Sequence, residues 1–234
     1  MKPTKSLFVT AALILGTMGV QAADFVQNGN YLTVQLKQHQ NYGPSQIRLQ
    51  VVSDRIIRVQ ATAEQSFRSK QSLIIVPQNS KAQYKVEEQG DDLIITTAAM
   101  RAVLNEATGQ ITFYDLKDQV LLKEVAQGGK TFKPFTVPDR EIGVDIAKVP
   151  EAQKHGWSWR ALFDSPDNEA FYGLGQHQSE ELNMKGKNED LFQYNTKVSV
   201  PFVISNKNYG ILWDSYSYCR WGNPDDYLQL NRAF

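Results

Sequence analysis

The feature that most constrains the fold is a succession of short strand-like segments, separated by turn residues, that begins at Tyr31 and continues along the chain. Residues 46–52 alternate polar and apolar side chains, so Ile47, Leu49 and Val51 would share one face of a strand. Outside residues 7–20, no window of helical length carries a sustained apolar stripe of 3.6-residue period. The pattern therefore predicts an all-β, antiparallel β-sandwich rather than alternating strands and helices.

Local sequence also predicts turns, one further strand and one long connection. Turn residues predict hairpins at 53–54, 89–92, 108–109 and 117–118. The apolar run 73–76 is predicted to be a strand that ends at Pro77, because proline lacks the backbone donor of a strand ladder. Residues 126–155 combine glycines and prolines with apolar side chains. They are predicted to cross irregularly within one domain, with five residues buried: Phe132, Phe135, Val137, Ile142 and Val144.

The N-terminus has the composition of a targeting segment. Lys2 and Lys5 precede an apolar run over residues 7–20, and the small residues Ala22 and Ala23 follow it. These are the three parts of a secretory signal peptide, and the run is too short for a stable membrane span. We predict a cleavable signal peptide at 1–22, a β-sandwich domain at 23–234, and a secreted or periplasmic location.

Charge and cysteine content exclude several classes of protein. The chain has 25 Lys and Arg against 25 Asp and Glu, whereas nucleic-acid binders usually carry a basic excess, so no nucleic-acid partner is predicted. The single cysteine, Cys219, cannot form an internal disulfide and is predicted to be a small buried apolar residue. His39, His155 and His177 lack the spacing of metal ligands, so no metal and no cofactor is predicted.

Several catalytic motifs are incomplete. The segment 129–131 resembles the end of a phosphate-binding loop, but Glu124 stands where the first glycine is required. The segment 173–178 begins like a dinucleotide fingerprint and ends in Gln178 instead of glycine. Acidic pairs occur at 180–181, 189–190 and 225–226. Adjacent side chains on a strand point to opposite faces, so we expect these pairs to be solvated rather than to act together on a sugar bond.

The last third of the chain carries an ordered series of motifs. It reads F-Y-G-L-G-Q-H-Q at 171–178, L-F-Q-Y-N-T at 191–196, V-P-F-V-I-S at 200–205 and N-Y-G-I-L-W-D at 208–214. This series resembles the N-terminal β-sandwich of glycoside hydrolase family 31, a galactose-mutarotase-like supersandwich, and most resembles its Bacteroides-like, α-xylosidase-type group. The resemblance covers nearly all of the chain after residue 22. One departure is Gln176, where most of the family has glutamate.

The resemblance implies the non-catalytic N-terminal domain of an exported retaining α-glycosidase, of α-xylosidase or α-glucosidase type, acting on plant or dietary oligosaccharides. In the family, two catalytic aspartates lie on a (β/α)8 barrel that follows this domain, and the carboxylates of retaining enzymes are about 5–5.5 Å apart. We therefore expect a domain incomplete at its C-terminus, with no catalytic residue and no activity alone. Its implied partners are the barrel of the same enzyme and an oligosaccharide substrate, with no membrane partner.

The resemblance also places the loop 173–195 near the mouth of the active site. Gln176, Gln178 and Asn195 are the predicted substrate-facing residues, because their amides can pair with sugar hydroxyls. Two alternatives stay open. All four tryptophans follow residue 154, which would suit a stand-alone carbohydrate-binding module. A mutarotase-like epimerase would need His177 to pair with Glu180 or Glu181.

Overall fold

The computed structural model describes residues 25–37, 41–68, 71–76, 80–127, 129–136, 145–178 and 181–222. The predicted signal peptide at 1–22 lies outside these ranges, as do Val137, Ile142, Val144 and Glu180. The described residues are almost entirely strands, together with a 3-10 turn at Ile146–Lys148 and a four-residue helix at Glu151–Lys154. Within the described ranges, no helix is long and apolar enough to cross a membrane.

The strands, in chain order, are β1 (Phe25–Asn28), β2 (Tyr31–Gln35), β3 (Gln46–Ser53), β4 (Ile56–Thr62), β5 (Tyr84–Gln89), β6 (Asp92–Thr97), β7 (Arg101–Asn105), β8 (Ile111–Tyr114), β9 (Val120–Glu124), β10 (Lys130–Thr136), β11 (His155–Ala161), β12 (Phe163–Asp164), β13 (Phe171–Gln176), β14 (Glu189–Leu191), β15 (Val198–Ser205), β16 (Tyr209–Leu212) and β17 (Cys219–Trp221). The first sheet has the order β1-β2-β3-β4, and the second has the order β12-β9-β8-β7-β6-β5. Every pairing between these strands is antiparallel.

The first and second sheets pack face to face around one apolar core. Ile47, Leu49 and Val51 of β3 all point inward and are fully buried, as their alternation predicts. They meet Leu93 and Leu104 of the second sheet in the same cluster. Each such side chain contributes about 1.5–3 kcal/mol when it leaves water, so this cluster is the main source of stability in the sandwich. The predicted all-β, antiparallel arrangement is confirmed.

The four predicted hairpin turns are also confirmed, because each separates two paired strands of the sandwich. The predicted strand at 73–76 is wrong. Leu73 is 78% exposed, and residues 73–76 do not lie in a strand. The backbone N–H groups of Ile74 and Ile75 instead donate to the hydroxyl of Ser72, and this local turn replaces a ladder.

The predicted irregular crossing is, where described, a two-stranded ribbon. β10 and β11 pair over seven residues, from Lys130 opposite Ala161 to Thr136 opposite His155. The predicted burial of Phe135 is wrong, since it is 47% exposed near the far end of this ribbon. Among the described residues, no second sheet covers Phe135 at this end of the ribbon, whereas the prediction assumed a crossing packed inside the domain.

Lys130, the residue that suggested a phosphate-binding loop, forms a buried ion pair with Glu124. The backbone N–H of Ile111 also donates to this carboxylate at 2.8 Å. Burial raises the pKa of Glu124 and lowers the pKa of Lys130, while their mutual attraction opposes both shifts. The ammonium is therefore already neutralised by a structural partner and is not available to a phosphate.

Residues 165–222 continue into a second region with its own smaller core. The sheet β13-β15-β16 and the pair β14-β17 enclose Phe171, Leu174, Met184, Leu191 and Val203. The indole rings of residues 213 and 221 pack edge-to-face beside this core at 5.7 Å. The predicted burial of the cysteine at 219 holds only in part, because its side chain is half-buried against the cluster.

Two polar links hold this second region in place. The carboxylate of Asp214, from the W-D motif, pairs with Arg58 of the first sheet at 2.9 Å. Glu169 is buried and accepts hydrogen bonds from the hydroxyls of Ser165, Ser205 and Tyr209 at 2.9, 2.6 and 2.6 Å. Since buried carboxylates require such donors, Glu169 ties the start of β13 to β15 and β16.

Candidate functional site

The F-Y-G-L-G motif forms a β-bulge in β13. The register against β15 shifts between Gly173 and Gly175, and residues 173, 174 and 175 have φ values of 131°, 65° and 101°. A Cβ on Gly175 would lie 2.0 Å from the carbonyl oxygen of Val198, and one on Gly173 would lie 2.6 Å from that of Phe202. Only glycine fits at both positions, and the bulge turns Leu174 into the second core.

A buried polar cluster fixes the chain immediately after the bulge. His177 Nε2 donates to the carbonyl oxygen of Leu174 at 2.7 Å, and its Nδ1 lies 3.3 Å from a carboxylate oxygen of Glu189. The same carboxylate pairs with Lys197, whose ammonium also donates to the carbonyl oxygen of Asp190. Lys197 is itself buried, so this cluster joins the end of β13, strand β14 and the start of β15.

The three predicted substrate-facing residues lie at one end of the β13–β15 ladder. Gln176 opposes Val198 in the last pair of the ladder, Gln178 follows two residues later, and Asn195 lies in the turn just before β15. All three are exposed. Their amides have no side-chain hydrogen bond to the described part of the chain, so these donors and acceptors face solvent. Whether they touch a substrate stays a prediction.

A mutarotase-like epimerase would need His177 to pair with Glu180 or Glu181. Of these two pairings, the structure describes only His177 with Glu181, and that predicted pairing is wrong. Glu181 is exposed and pairs with Lys187 at 2.8 Å, and that hydrogen bond and charge lower the pKa of Glu181. His177 faces Glu189 instead. Sequence reasoning missed this partner because the two residues are brought together by the bulge and by the β14–β17 pairing, and no spacing motif records either.

The acidic pairs noted in the sequence do not form a catalytic centre in the described residues. Asp190, the neighbour of Glu189 in β14, accepts a hydrogen bond from the hydroxyl of Tyr218 and approaches Arg220 at 3.5 Å. Burial, and then the bond to Asp190, raise the pKa of Tyr218. In the ranges that the structure describes, no group of three or more His, Cys, Asp or Glu residues could hold a metal ion.

The outer face of the sheet β13-β15-β16 is apolar. Along β15, even-numbered residues point outward and odd-numbered residues point into the second core, so Phe202 and Ile204 are exposed while Val203 is buried. Neighbouring strands extend the same face, which we call the apolar sheet face: Tyr172, Val198, Val200, Phe202, Ile204 and Leu212. An apolar face of this kind marks a contact surface on a soluble protein.

These features define a β-sandwich domain that carries no assembled catalytic acid pair among its described residues and presents one apolar sheet face. Residues 46–221 match the sequence profile described as "Glycosyl hydrolase 31 N-terminal galactose mutarotase-like domain", and the chain belongs to this family. The family resemblance of the motif series is thereby confirmed.

Relatives of this chain are larger proteins. It is 27% identical over 178 residues to an uncharacterised family 31 glucosidase of Pseudescherichia vulneris, and 25% identical over 185 residues to an α-xylosidase of Saccharolobus solfataricus. These matches cover 72% and 75% of this chain but only 32% and 23% of the relatives.

Solved structures agree with this assignment. A family 31 α-xylosidase from Xanthomonas citri superposes with a TM-score of 0.72 at 36% identity, over 85% of this chain and 20% of that enzyme. An α-xylosidase from a soil metagenome, complexed with xylose, superposes with a TM-score of 0.63 at 25% identity, over 85% of this chain and 29% of that enzyme.

Proposed function

We propose that this chain is the non-catalytic N-terminal domain of an exported retaining α-glycosidase, of α-xylosidase or α-glucosidase type, that acts on plant or dietary oligosaccharides. In this proposal the domain supports a (β/α)8 barrel and shapes the entrance to the barrel's active site. The chain alone hydrolyses no glycoside, because both catalytic carboxylates belong to the barrel.

The observation that carries the proposal is the apolar sheet face beside the F-Y-G-L-G bulge. The first and second sheets cover their shared apolar core by themselves, whereas Phe202 and Ile204 of β15 lie exposed together on one face of their sheet. The chain spans about a quarter to a third of its curated relatives, so most of each relative lies beyond the matched domain. A catalytic barrel is the partner that we propose for this face.

The loop after the bulge supports the second part of the proposal. The cluster of His177, Glu189 and Lys197 ties this loop to β14 and β15, and the exposed amides of Gln176 and Asn195 lie at its end. Amides that are held in place by their surroundings can select among sugars. A sugar whose hydroxyls do not match the amides would leave polar groups without hydrogen-bond partners and would bind more weakly.

A domain exchange tests the supporting role. Residues 23–234 would replace the corresponding domain of the Xanthomonas citri α-xylosidase, and hydrolysis of an aryl α-xyloside would be measured. We expect activity from the chimera and none from the isolated chain. The double substitution Phe202→Lys and Ile204→Lys should abolish assembly of the chimera, because it would bury two charges against the barrel.

The matched control is the double substitution Ile56→Lys and Val120→Lys, which adds the same two charges at exposed apolar residues of the first and second sheets and should leave activity unchanged. A well-folded chimera that is inactive on every α-xyloside and α-glucoside tried, or one indifferent to the double substitution in β15, would contradict the proposal. N-terminal sequencing of the protein exported by a bacterial host should begin at Ala23.

Calorimetry separates a dependent domain from a stand-alone carbohydrate-binding module. The isolated chain should bind neutral xyloglucan oligosaccharides no more tightly than about millimolar. Micromolar binding would favour the module instead.

A further inference from the structure

The outer face of the first sheet is polar and has no part in the function proposed above. Its outward-pointing side chains include two arginines, four glutamines and a tyrosine, but no carboxylate: Val26, Asn28, Tyr31, Thr33, Gln35, Gln46, Arg48, Gln50, Arg58, Gln60 and Thr62. Solvent-facing sheets usually mix charges of both signs. This face is therefore biased toward an anionic or hydroxyl-rich ligand.

An open hollow lies on this face. It has a volume of about 440 Å³ and is lined by Val26, Asn28, Tyr31, Thr33 and Arg48, which come from three adjacent strands. Ligand sites in proteins have volumes of roughly 300–1,000 Å³ and combine an apolar or aromatic wall with a few polar groups. A single pyranose ring would fit this space.

Arg48 is held in one orientation at the hollow. Its Nε donates to the hydroxyl of Thr33 at 3.2 Å, and its guanidinium carbon lies 4.1 Å from the centre of the Phe67 ring. The Tyr31 ring lies further away, at 5.7 Å. Because stacking and the Nε hydrogen bond fix the guanidinium plane, little side-chain entropy would be lost when a ligand binds.

The charge of Arg48 is not neutralised within the described part of the chain. Arg58, the other arginine of this face, already pairs with Asp214. The two terminal amino groups of Arg48 have no hydrogen bond and no ion pair with any described residue. Such a fork matches a carboxylate with two parallel hydrogen bonds.

We propose that this hollow, which we call the Arg48 hollow, is a binding site for an acidic saccharide, a sugar residue that carries one negatively charged group. The anionic group pairs with the terminal amino groups of Arg48. The side chains of Asn28 and Thr33 pair with ring hydroxyls, and the Tyr31 ring contacts the apolar face of the sugar. The Arg48 hollow shares no residue with the apolar sheet face, so this proposal does not depend on the proposed contact with a barrel.

Calorimetry on the full chain tests this proposal with four small probes. They are methyl α-D-glucuronide, the neutral methyl α-D-glucoside, D-glucose 6-sulfate and acetate. We expect the glucuronide to bind at least about tenfold more tightly than the glucoside, because hydrogen bonds to a charged partner are the strong ones. Tighter binding of the sulfate would identify the anionic group as a sulfate ester rather than a uronate, and would also support an acidic saccharide.

Three variants locate the binding. Arg48→Gln should weaken binding of the glucuronide by about tenfold or more. Asn28→Ala should weaken binding of both the glucuronide and the sulfate by a few fold. Arg55→Gln is the matched control, since Arg55 is an exposed arginine in the neighbouring turn, and it should change nothing. Asn28 is also exposed, so Asn28→Ala should not affect folding. It therefore still tests the site if Arg48→Gln does not fold.

Other outcomes would overturn the proposal. Equal binding of glucuronide and glucoside would remove the role of charge, and equal binding of acetate would reduce the hollow to a simple anion site. Absence of binding to every sugar probe at concentrations up to about 10 mM, or an equal effect of Arg55→Gln, would reject the site.

Discussion

The two cores of this protein differ in how completely they are covered. In the first region, residues 25–124, two sheets face each other, bury one continuous leucine- and isoleucine-rich cluster, and turn mainly polar side chains toward solvent. In the second region, residues 165–222, a three-stranded sheet buries one face and leaves Phe202, Ile204 and Leu212 exposed on the other. A domain that must fold before it meets a partner needs a region of the first kind, and a domain that docks needs a surface of the second kind.

The second region contains a strained bulge. Its bulge places the buried, non-glycine residue Leu174 at positive φ between two glycines that no other residue can replace. Strain of this kind persists only where the surroundings hold it, and it is concentrated at functional sites. The polar cluster of His177, Glu189 and Lys197 supplies that support.

The largest effect is expected from Gly175→Ala. The new Cβ would clash with the backbone of Val198 and force alanine into an unfavourable φ, which together should cost about 4 kcal/mol of unfolding free energy. Urea unfolding followed by tryptophan fluorescence reports this change, because Trp213 and Trp221 pack on the second core.

Gly186→Ala is the control for this experiment. It has a φ of 69° but open space around it, and should cost only about 1 kcal/mol. Equal losses from the two variants would mean that the bulge is not tightly packed against β15.

Leu49→Ala measures the first core. It would remove a fully buried side chain from β3 and should lower the unfolding free energy by about 3 kcal/mol, most clearly in far-ultraviolet circular dichroism. Leu182→Ala, at a position that is 83% exposed, should be close to neutral. A joint shift of the urea midpoints measured by fluorescence and by circular dichroism, in both Leu49→Ala and Gly175→Ala, would show that the two regions unfold as one unit. The two regions would then differ only in geometry.

Lys197→Met tests the polar cluster of the second region. The substitution would leave the carboxylate of Glu189 without its lysine partner and should destabilise the protein by about 2 kcal/mol. This loss is smaller than the loss expected on breaking a fully buried ion pair, because Glu189 is partly exposed. Lys187→Met, which removes an exposed partner from Glu181, should leave the urea midpoint unchanged. A neutral result for Lys197→Met would show that the loop does not depend on this cluster.

The smallest effect is expected from Tyr209→Phe, and it depends on pH. Burial, and then the hydrogen bond to Glu169, raise the pKa of Tyr209 well above its usual value. A tyrosine whose pKa is raised on folding contributes stability that is complete below pH 10 and is lost as pH rises above 10, because the unfolded chain ionises first. Tyr209→Phe should cost about 1 kcal/mol at pH 7 and flatten the decline in stability between pH 9 and 11.

Tyr172→Phe, on the exposed sheet face of the same region, is the control and should keep the wild-type pH dependence. The measurement is the urea midpoint at several pH values. A slope unchanged in Tyr209→Phe would argue against the Glu169 hydrogen bond.

Sequence reasoning was strongest where a strand faces a covered layer and weakest in the segments that connect or flank the packed sheets. Alternation placed Ile47, Leu49 and Val51 on one buried face because the side-chain period of a strand is two and one face was covered. The same reasoning failed at 73–76, where the apolar run suggested a strand but the hydroxyl of Ser72 caps the backbone instead. It also failed at Phe135, because burial depends on a second layer that a local sequence does not announce.

By itself, the sequence determined the strand-rich class, the hairpin turns and, through the spacing of Gly173 and Gly175 within an ordered motif series, the family. These features follow from local sterics and from side-chain periodicity, which act over a few residues. Only the tertiary structure decided that His177 faces Glu189, that Lys130 is neutralised by Glu124, and that Arg48 lines an open hollow. Those contacts depend on how sheets pack and strands pair, and such long-range geometry leaves no periodic trace in the chain.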